Sequence, residues 1–443
     1  MLDIPSFRMA VVREKKTGCS APFASQLALL LTLLGLVASP LAADAQAEFL
    51  PVAADRLHRV TTGVPFPRGL VLVDGTLYVL ARGRVRDAGG VDPSIPDHAG
   101  TIYAVDPEFT HVPGDASSSD RLAANARVLA QPTEPPFRLL DRSLPRAIDD
   151  DSTDRPYCVL RYDPLSRNLF LCAFSGIDLP EGASPSFKKN FADALFRYDL
   201  RTEKWHEVER HDPSALDRYP HSDPATTAPP HGWMKGPDNC WIVGDYLYAV
   251  AKDNSVLVAY DIREIRKNPD APCPPGKLVM GSEIPLSNAD AQPFLGHSML
   301  EHRDGYLYVG FRTTSQIIRL PTDERGMVVA GAKAELLALF DPWDPQARKS
   351  ADLTDMCFGP DGNLYVISAK PARVFRFRPD PKHIFDARKG AQLPWADLAG
   401  LTGNPKMKSE NVLVDARGRV FVTSADPYDP SATVGGTVFR IDP

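Results

Sequence analysis

"DMCFGPDGNLYVISAKPARVFRFRPD", residues 355–380, is an apolar run, a turn at Gly359-Pro360-Asp361-Gly362, a second run, a short break and a third run. Each run is four to seven residues long, rich in Val, Tyr and Phe, and bounded by Gly, Pro, Asp or Asn. Such runs are too short and too β-rich for helices, so they read as strands. The same pattern returns along the chain. It occurs as "GLVLVDGTLYVLARG" from Gly69, "CVLRYDPLSRNLFLCAF" from Cys158, "CWIVGDYLYAVAKDNSVLVAYDI" from Cys240, "HSMLEHRDGYLYVGFRTTSQIIRLP" from His297 and "NVLVDARGRVFVTSADP" from Asn411. With the opening stretch, that makes six copies.

A fourth, more polar strand follows most copies: "ARVLA" at 126, "KWHEVER" at 204, "KLVMGS" at 277 and "AELLALF" at 334, with the fifth copy's counterpart within 384–398. One such unit cannot bury both of its faces, whereas six packed round an axis cover one another. The pattern therefore predicts an all-β chain, a six-bladed β-propeller with long loop insertions. The sixth copy stops at Pro443 after three strands. The segment "DRLHRVTTG", 55–63, is the expected missing strand, closing the ring with the mature N-terminus. A sandwich pair, or a seventh unit hidden in 107–150, are the other arrangements the pattern allows.

The chain has 443 residues, a formal charge of -6 and 42 prolines. That is an ordinary globular composition, and it gives no reason to expect nucleic acid. Arg13, Lys15 and Lys16 precede the apolar stretch "LALLLTLLGLVASPLA" and then Ala43-Asp44-Ala45. This is the layout of a signal peptide, cleaved after Ala45. The expected organisation is a leader over 1–45 and one propeller domain over 46–443, secreted or periplasmic, with no membrane span after cleavage. Export permits disulfides. Cys158 and Cys172 would face each other across a hairpin, as a disulfide or as two buried thiols. Cys240, Cys273 and Cys357 complete an odd set of five in the mature chain.

In a propeller, the residue just before each innermost strand lies at the mouth of the central channel. Alignment on the "LYV" pattern puts Arg68, Asp238 with Asn239, His297, Thr354 with Asp355, and Glu410 with Asn411 at that mouth. Carboxylates and amide oxygens gathered round one axis suit a hard divalent cation, Ca²⁺ before Mg²⁺. The same residues also serve as turn caps in a wet channel. Arg68 would bind an anionic group or bridge to Glu410 or Asp238. His297 reads as a ligand, a general base or a polar wall. Trp233, in "HGWM", is an aromatic candidate for holding a substrate. The sequence contains no Gly-x-Ser-x-Gly elbow, Gly-x-Gly-x-x-Gly or P-loop.

"LTDMCFGPDGNLYV" (353–366) and "SENVLVDARGRVFVT" (409–423) resemble the blade openings of NHL-type propellers and of the six-bladed gluconolactonase/regucalcin and paraoxonase-like superfamily. The resemblance covers the six repeats and not the insertions. It implies a divalent ion in the channel, held by Glu, Asn and Asp residues from different blades. Glu410 matches the family Glu. Asp238 and His297 stand where Asn is usual, and at the remaining position the acid follows one residue late, at Asp355. The reading that results is a secreted metal-dependent hydrolase of the lactonase or esterase kind. Asp238, Asp355, Glu410 and Asn411 would hold the ion. His297 or Asp355 would activate water, and Arg68, Asn239 and Trp233 would hold a small-molecule substrate. The alternatives are a non-catalytic binding or scaffold module for a protein partner, and a metal-assisted lyase like the similar streptogramin lyases.

Overall fold

A computed structural model describes residues 51–64, 66–81, 100–110, 125–132, 157–173, 194–210, 237–251, 255–290, 293–341, 351–405, 407–424 and 436–443. The leader and its cleavage site lie outside these residues, as does Trp233. Among the described residues no helix is long and apolar enough to cross a membrane.

The strands form six antiparallel sheets, arranged as the blades of a propeller. Blade 1 is Pro67–Val73, Thr76–Ala81, Ile102–Val105 and Ala126–Ala130. Blade 2 is Tyr157–Asp163, Asn168–Ala173, Ala194–Asp199 and Lys204–Arg210. Blade 3 runs Pro237–Val243, Tyr246–Ala251, Val256–Asp261 and Lys277–Met280. Blade 4 runs His297–Arg303, Tyr306–Phe311, Gln316–Pro321 and Glu335–Leu339. Blade 5 is Leu353–Phe358, Leu364–Ser368, Arg373–Phe377 and Ala396–Asp397. Blade 6 takes Val412–Val414, Val420–Ser424 and Gly436–Ile441, and its outer strand is Leu57–Val64.

That last pairing closes the ring. Leu57 lies opposite Ile441, Arg59 opposite Phe439 and Val64 opposite Gly436. The segment 384–398 divides between two blades. Ala396–Asp397 completes blade 5, and Phe385–Asp386 adds to blade 4 as a fifth strand, parallel to Glu335–Leu339. Blade 1 is complete by Ala130, so 107–130 supplies its last strand and no seventh sheet appears among the described residues.

The second strand of a blade is apolar throughout because both its faces are covered. Asn168–Ala173 and Tyr246–Ala251 are buried at every position. The core is accordingly divided into six clusters, one at each seam between blades. Leu80 meets Leu171 between blades 1 and 2, and Phe170 shares a cluster with Cys240 between blades 2 and 3. Phe421 and Leu70 belong to the seam that rejoins blade 6 to blade 1. Close approach here needs glycine: a Cβ on Gly69 would lie 2.7 Å from the Leu160 backbone nitrogen of the next blade.

At the turn end, arginines bridge neighbouring blades. Arg266 binds Asp163 through two bonds of 3.0 Å, Arg325 reaches Asp245 at 3.1 Å, and Arg419 reaches Glu108 at 2.8 Å. Cys158 and Cys172 are cross-strand partners in blade 2, and both are buried thiols.

Strand direction alternates, so the breaks between strands sort onto the two ends of the wheel. The strand ends flanking 82–99, 133–156, 174–193, 211–236, 342–350 and 425–435 all lie at the end where the inner strands begin. Those flanking 111–124 lie at the turn end.

Candidate functional site

The inner strands open with a bulge, and the bulge sets which side chains converge. In blades 1, 3, 4 and 5 the residue skipped by the cross-strand pairing is Arg68, Asp238, Ser298 and Thr354. The next residues include Asn239 and Asp355, with Asn411 opposite Thr423 in blade 6. Deeper along the strand, the residues opposite the aromatic of the "LYV" pattern are Val71, Arg161, Trp241, Glu301, Cys357 and Leu413.

At the mouth, Arg68 Nε lies 2.7 Å from Glu410 Oε2, and its Nη2 lies 3.2 Å from Asp238 Oδ1. The Lys408 ammonium takes the other oxygen of Glu410. Arg312 binds Asp352 through two bonds, one of them 2.9 Å. One layer in, Arg161 Nη2 donates to Asp355 Oδ1 at 2.8 Å and to Asn239 Oδ1 at 3.3 Å. Asn239 Nδ2 donates to the same Asp355 oxygen at 3.1 Å, and Asn411 Nδ2 donates to Asp355 Oδ2 at 3.0 Å. The Arg161 guanidinium also stacks over Trp241, 4.6 Å from its ring centre. Burial works against the Arg68 charge, but Glu410 leads a set of neighbours that lift its pKa above the ordinary value. Arg312 is raised likewise, against its own burial, by Asp352 and Asp238.

The expected convergence of Asp238, Asp355, Glu410, Asn239 and Asn411 is therefore present, and it is a convergence on protein cations. Arg68, Arg161, Arg312 and Lys408 face Asp238, Asp352, Asp355 and Glu410, four of each. This donor set does not fit a divalent ion. The oxygens that would ligate it accept hydrogen bonds from guanidinium, ammonium and amide groups. Among the described residues no group of three or more His, Cys, Asp or Glu is placed to hold a metal.

Both catalytic candidates, His297 and Asp355, are shut away from solvent. His297 sits one residue before the bulge; Ser298 holds the place matching Arg68 and Asp238. A one-residue slip sends a strand side chain to the other face. His297 is fully buried, edge-on to Phe311 at 4.7 Å. Burial pushes its pKa down to about 3, which makes the imidazole a weak base, and the ring is shut off from solvent. Asp355 is also fully buried, and both its oxygens accept hydrogen bonds, from Arg161 and Asn411. Asn239, assigned to substrate, spends its amide on Arg161 and Asp355.

Spacing alone passed over Arg161, Arg312, Lys408, Asp352 and Ser298. Arg161 lies in mid-strand in "CVLRYD", opposite Phe170 of the "LFL" run. Glu301 occupies the equivalent place in blade 4, opposite Tyr308. Its carboxylate accepts from His302 N at 2.8 Å and, across the seam, from Phe358 N at 3.2 Å. Burial raises its pKa from 4.5 to about 8, against the opposing pull of those hydrogen bonds and of Arg161. The folded protein thus holds this proton more tightly than the unfolded chain. Its stabilising contribution is full below about pH 4.5 and is lost as pH rises towards 8. We expect Glu301→Gln to remove that slope and to be more stable than wild type at the alkaline end. Urea midpoints measured at about pH 5 and about pH 8.5 check this; equal slopes in the two proteins would contradict it.

No protein-family model matches the sequence, and no curated protein sequence matches it. Among solved structures, the chain is similar to the PQQ-bound form of an aldose sugar dehydrogenase from Streptomyces coelicolor, at 13% identity over 86% of this chain and 95% of that one, with a TM-score of 0.47. It is similar to a calcium-binding regucalcin from Agrobacterium tumefaciens, at 11% identity over 89% and 93%, with a TM-score of 0.41. It is also similar to a virginiamycin B lyase from Staphylococcus aureus, at 9% identity over 87% and 98%, with a TM-score of 0.41. The assignment as a six-bladed propeller rests on the chain's own six sheets.

Proposed function

We propose that this chain is an exported, non-catalytic propeller module that recognises a partner through the insertions at its channel-mouth end. The observation that carries this reading is the neutralised channel. Every carboxylate that would hold a catalytic cation there is bound by Arg68, Arg161 or Lys408. A lactonase or esterase needs a Lewis acid or an activated water, and the metal-assisted lyase needs the same ion. Neither the donor set nor the buried His297 supports such chemistry. Rigid propeller scaffolds carry recognition on loops instead, and most long insertions leave from the mouth end.

The test has three arms. Purified protein, with Ca²⁺, Mg²⁺ or Mn²⁺ supplied, should not turn over a panel of chromogenic esters and lactones above the buffer rate. Replacing 174–193 or 211–236 by a short Gly-Ser linker should leave the melting temperature unchanged and abolish crosslinking to the partner that wild type captures. Mass spectrometry of the exported protein should find Gln46 as its first residue. Turnover that disappears in Asp355→Asn would sink the proposal.

A further inference from the structure

We propose that the Arg161 guanidinium is a built-in channel cation, standing among Asp355, Asn239 and Asn411 where a divalent ion would stand, and that its removal leaves a site that binds Ca²⁺. The inference rests on the reading of the channel as neutralised from within, and extends it to one residue.

Three blades supply the oxygens. Asp355 Oδ1 lies 2.8 Å from Arg161 Nη2, and Asn239 Oδ1 lies 3.3 Å from the same nitrogen. Asn411 binds Asp355 through Nδ2, while its Oδ1 is buried and has no hydrogen-bond partner. A half-turn of that amide would present the oxygen. A carboxylate and two amide oxygens are hard donors of the kind Ca²⁺ takes, at about 2.3–2.6 Å. The carboxylate charge is low, so affinity should be weak, on the order of millimolar.

The mouth layer behaves differently. Removing Arg68 leaves Lys408 on Glu410 and Arg312 on Asp352, and both cations remain close to the acids. No site for a dication opens there. Arg161 alone stands between one carboxylate and its two amides.

The experiment uses Arg161→Met, which keeps an apolar stem over Trp241, with Arg161→Gln as a second variant. Trp241 also serves as the reporter, because a Tb³⁺ ion at the guanidinium position would lie within energy-transfer range of its indole. We expect millimolar Ca²⁺ to raise the melting midpoint of both variants by several degrees. Tb³⁺ should give saturable tryptophan-sensitised emission that is lost when Asp355→Asn is added. Arg68→Ala should show neither response. Folded Arg161 variants that ignore both ions overturn the proposal, as does an equal response in Arg68→Ala. If the variants fold only on refolding with Ca²⁺, the proposal stands; if they fail to fold with and without it, the proposal falls. The wild-type arm is separate: a Ca²⁺-dependent shift in wild type would refute the neutralised channel itself.

Discussion

Asp355→Leu should cost about 3–5 kcal/mol, because it leaves the buried Arg161 guanidinium facing Leu. That is a large share of the roughly 5–15 kcal/mol by which domains are stable. Arg161 is buried, Asp355 is fully buried, and the 2.8 Å bond between them crosses the channel from blade 2 to blade 5. Asn239 and Asn411 would also lose their acceptor. Adding Arg161→Met should recover most of the loss, since well-packed apolar replacements of a buried pair are often neutral. Urea denaturation of wild type, both single variants and the double variant gives the coupling directly. Additive effects would mean that the pair does not hold the channel together.

A larger effect is expected from deleting residues 51–64. The outer strand Leu57–Val64 is the partner of Gly436–Ile441, and its Val60, Thr61 and Val64 are buried. Without it blade 6 keeps three strands and an open edge, and the seam with blade 1 loses Val60 and Val64. Each lost valine forfeits about 1.5–3 kcal/mol of burial, before counting the strand's hydrogen bonds. The truncated chain should show no cooperative melting and should elute as aggregate. A milder probe, Val60→Asp, should lower the midpoint strongly for the same reason. A truncated protein that melts cooperatively within a few degrees of wild type would show that closure is dispensable.

Both results turn on how the sequence is spaced, and the spacing was only partly legible. The blades were readable because each repeats an aromatic second strand that must be apolar on both faces. Closure was readable because the last copy lacked an outer strand and 55–63 lacked a partner. The gathering of Arg68, Asp238 and Glu410 followed from counting back from that second strand. The same count reaches Ser298 in blade 4, since Asp304-Gly305 forms the same short turn as Asp74-Gly75. His297 lies one residue before that position, and a one-residue offset turns a strand side chain to the opposite face. Arg161 was out of reach for a different reason. It lies in mid-strand, and no pattern of spacings says which charge a long side chain will meet across a channel. That is why acids suited to a cation were recognisable, while the cations already bound to them were not.

The fifth strand of blade 4 bears on how the wheel behaves in a crowded solution. Every perimeter strand offers its outer row of amides to any extended segment that drifts past, and sticky perimeters seed insoluble deposits. The rim of blade 2, "KWHEVER", discourages such visitors with the exposed Lys204 and Glu207. The rim of blade 4, "ELLAL", has only Glu335, and it is this rim that Phe385–Asp386 covers. Among the described residues this is the rim that receives a fifth strand, and the extra strand caps Ala338 and Leu339 against fibril-like stacking.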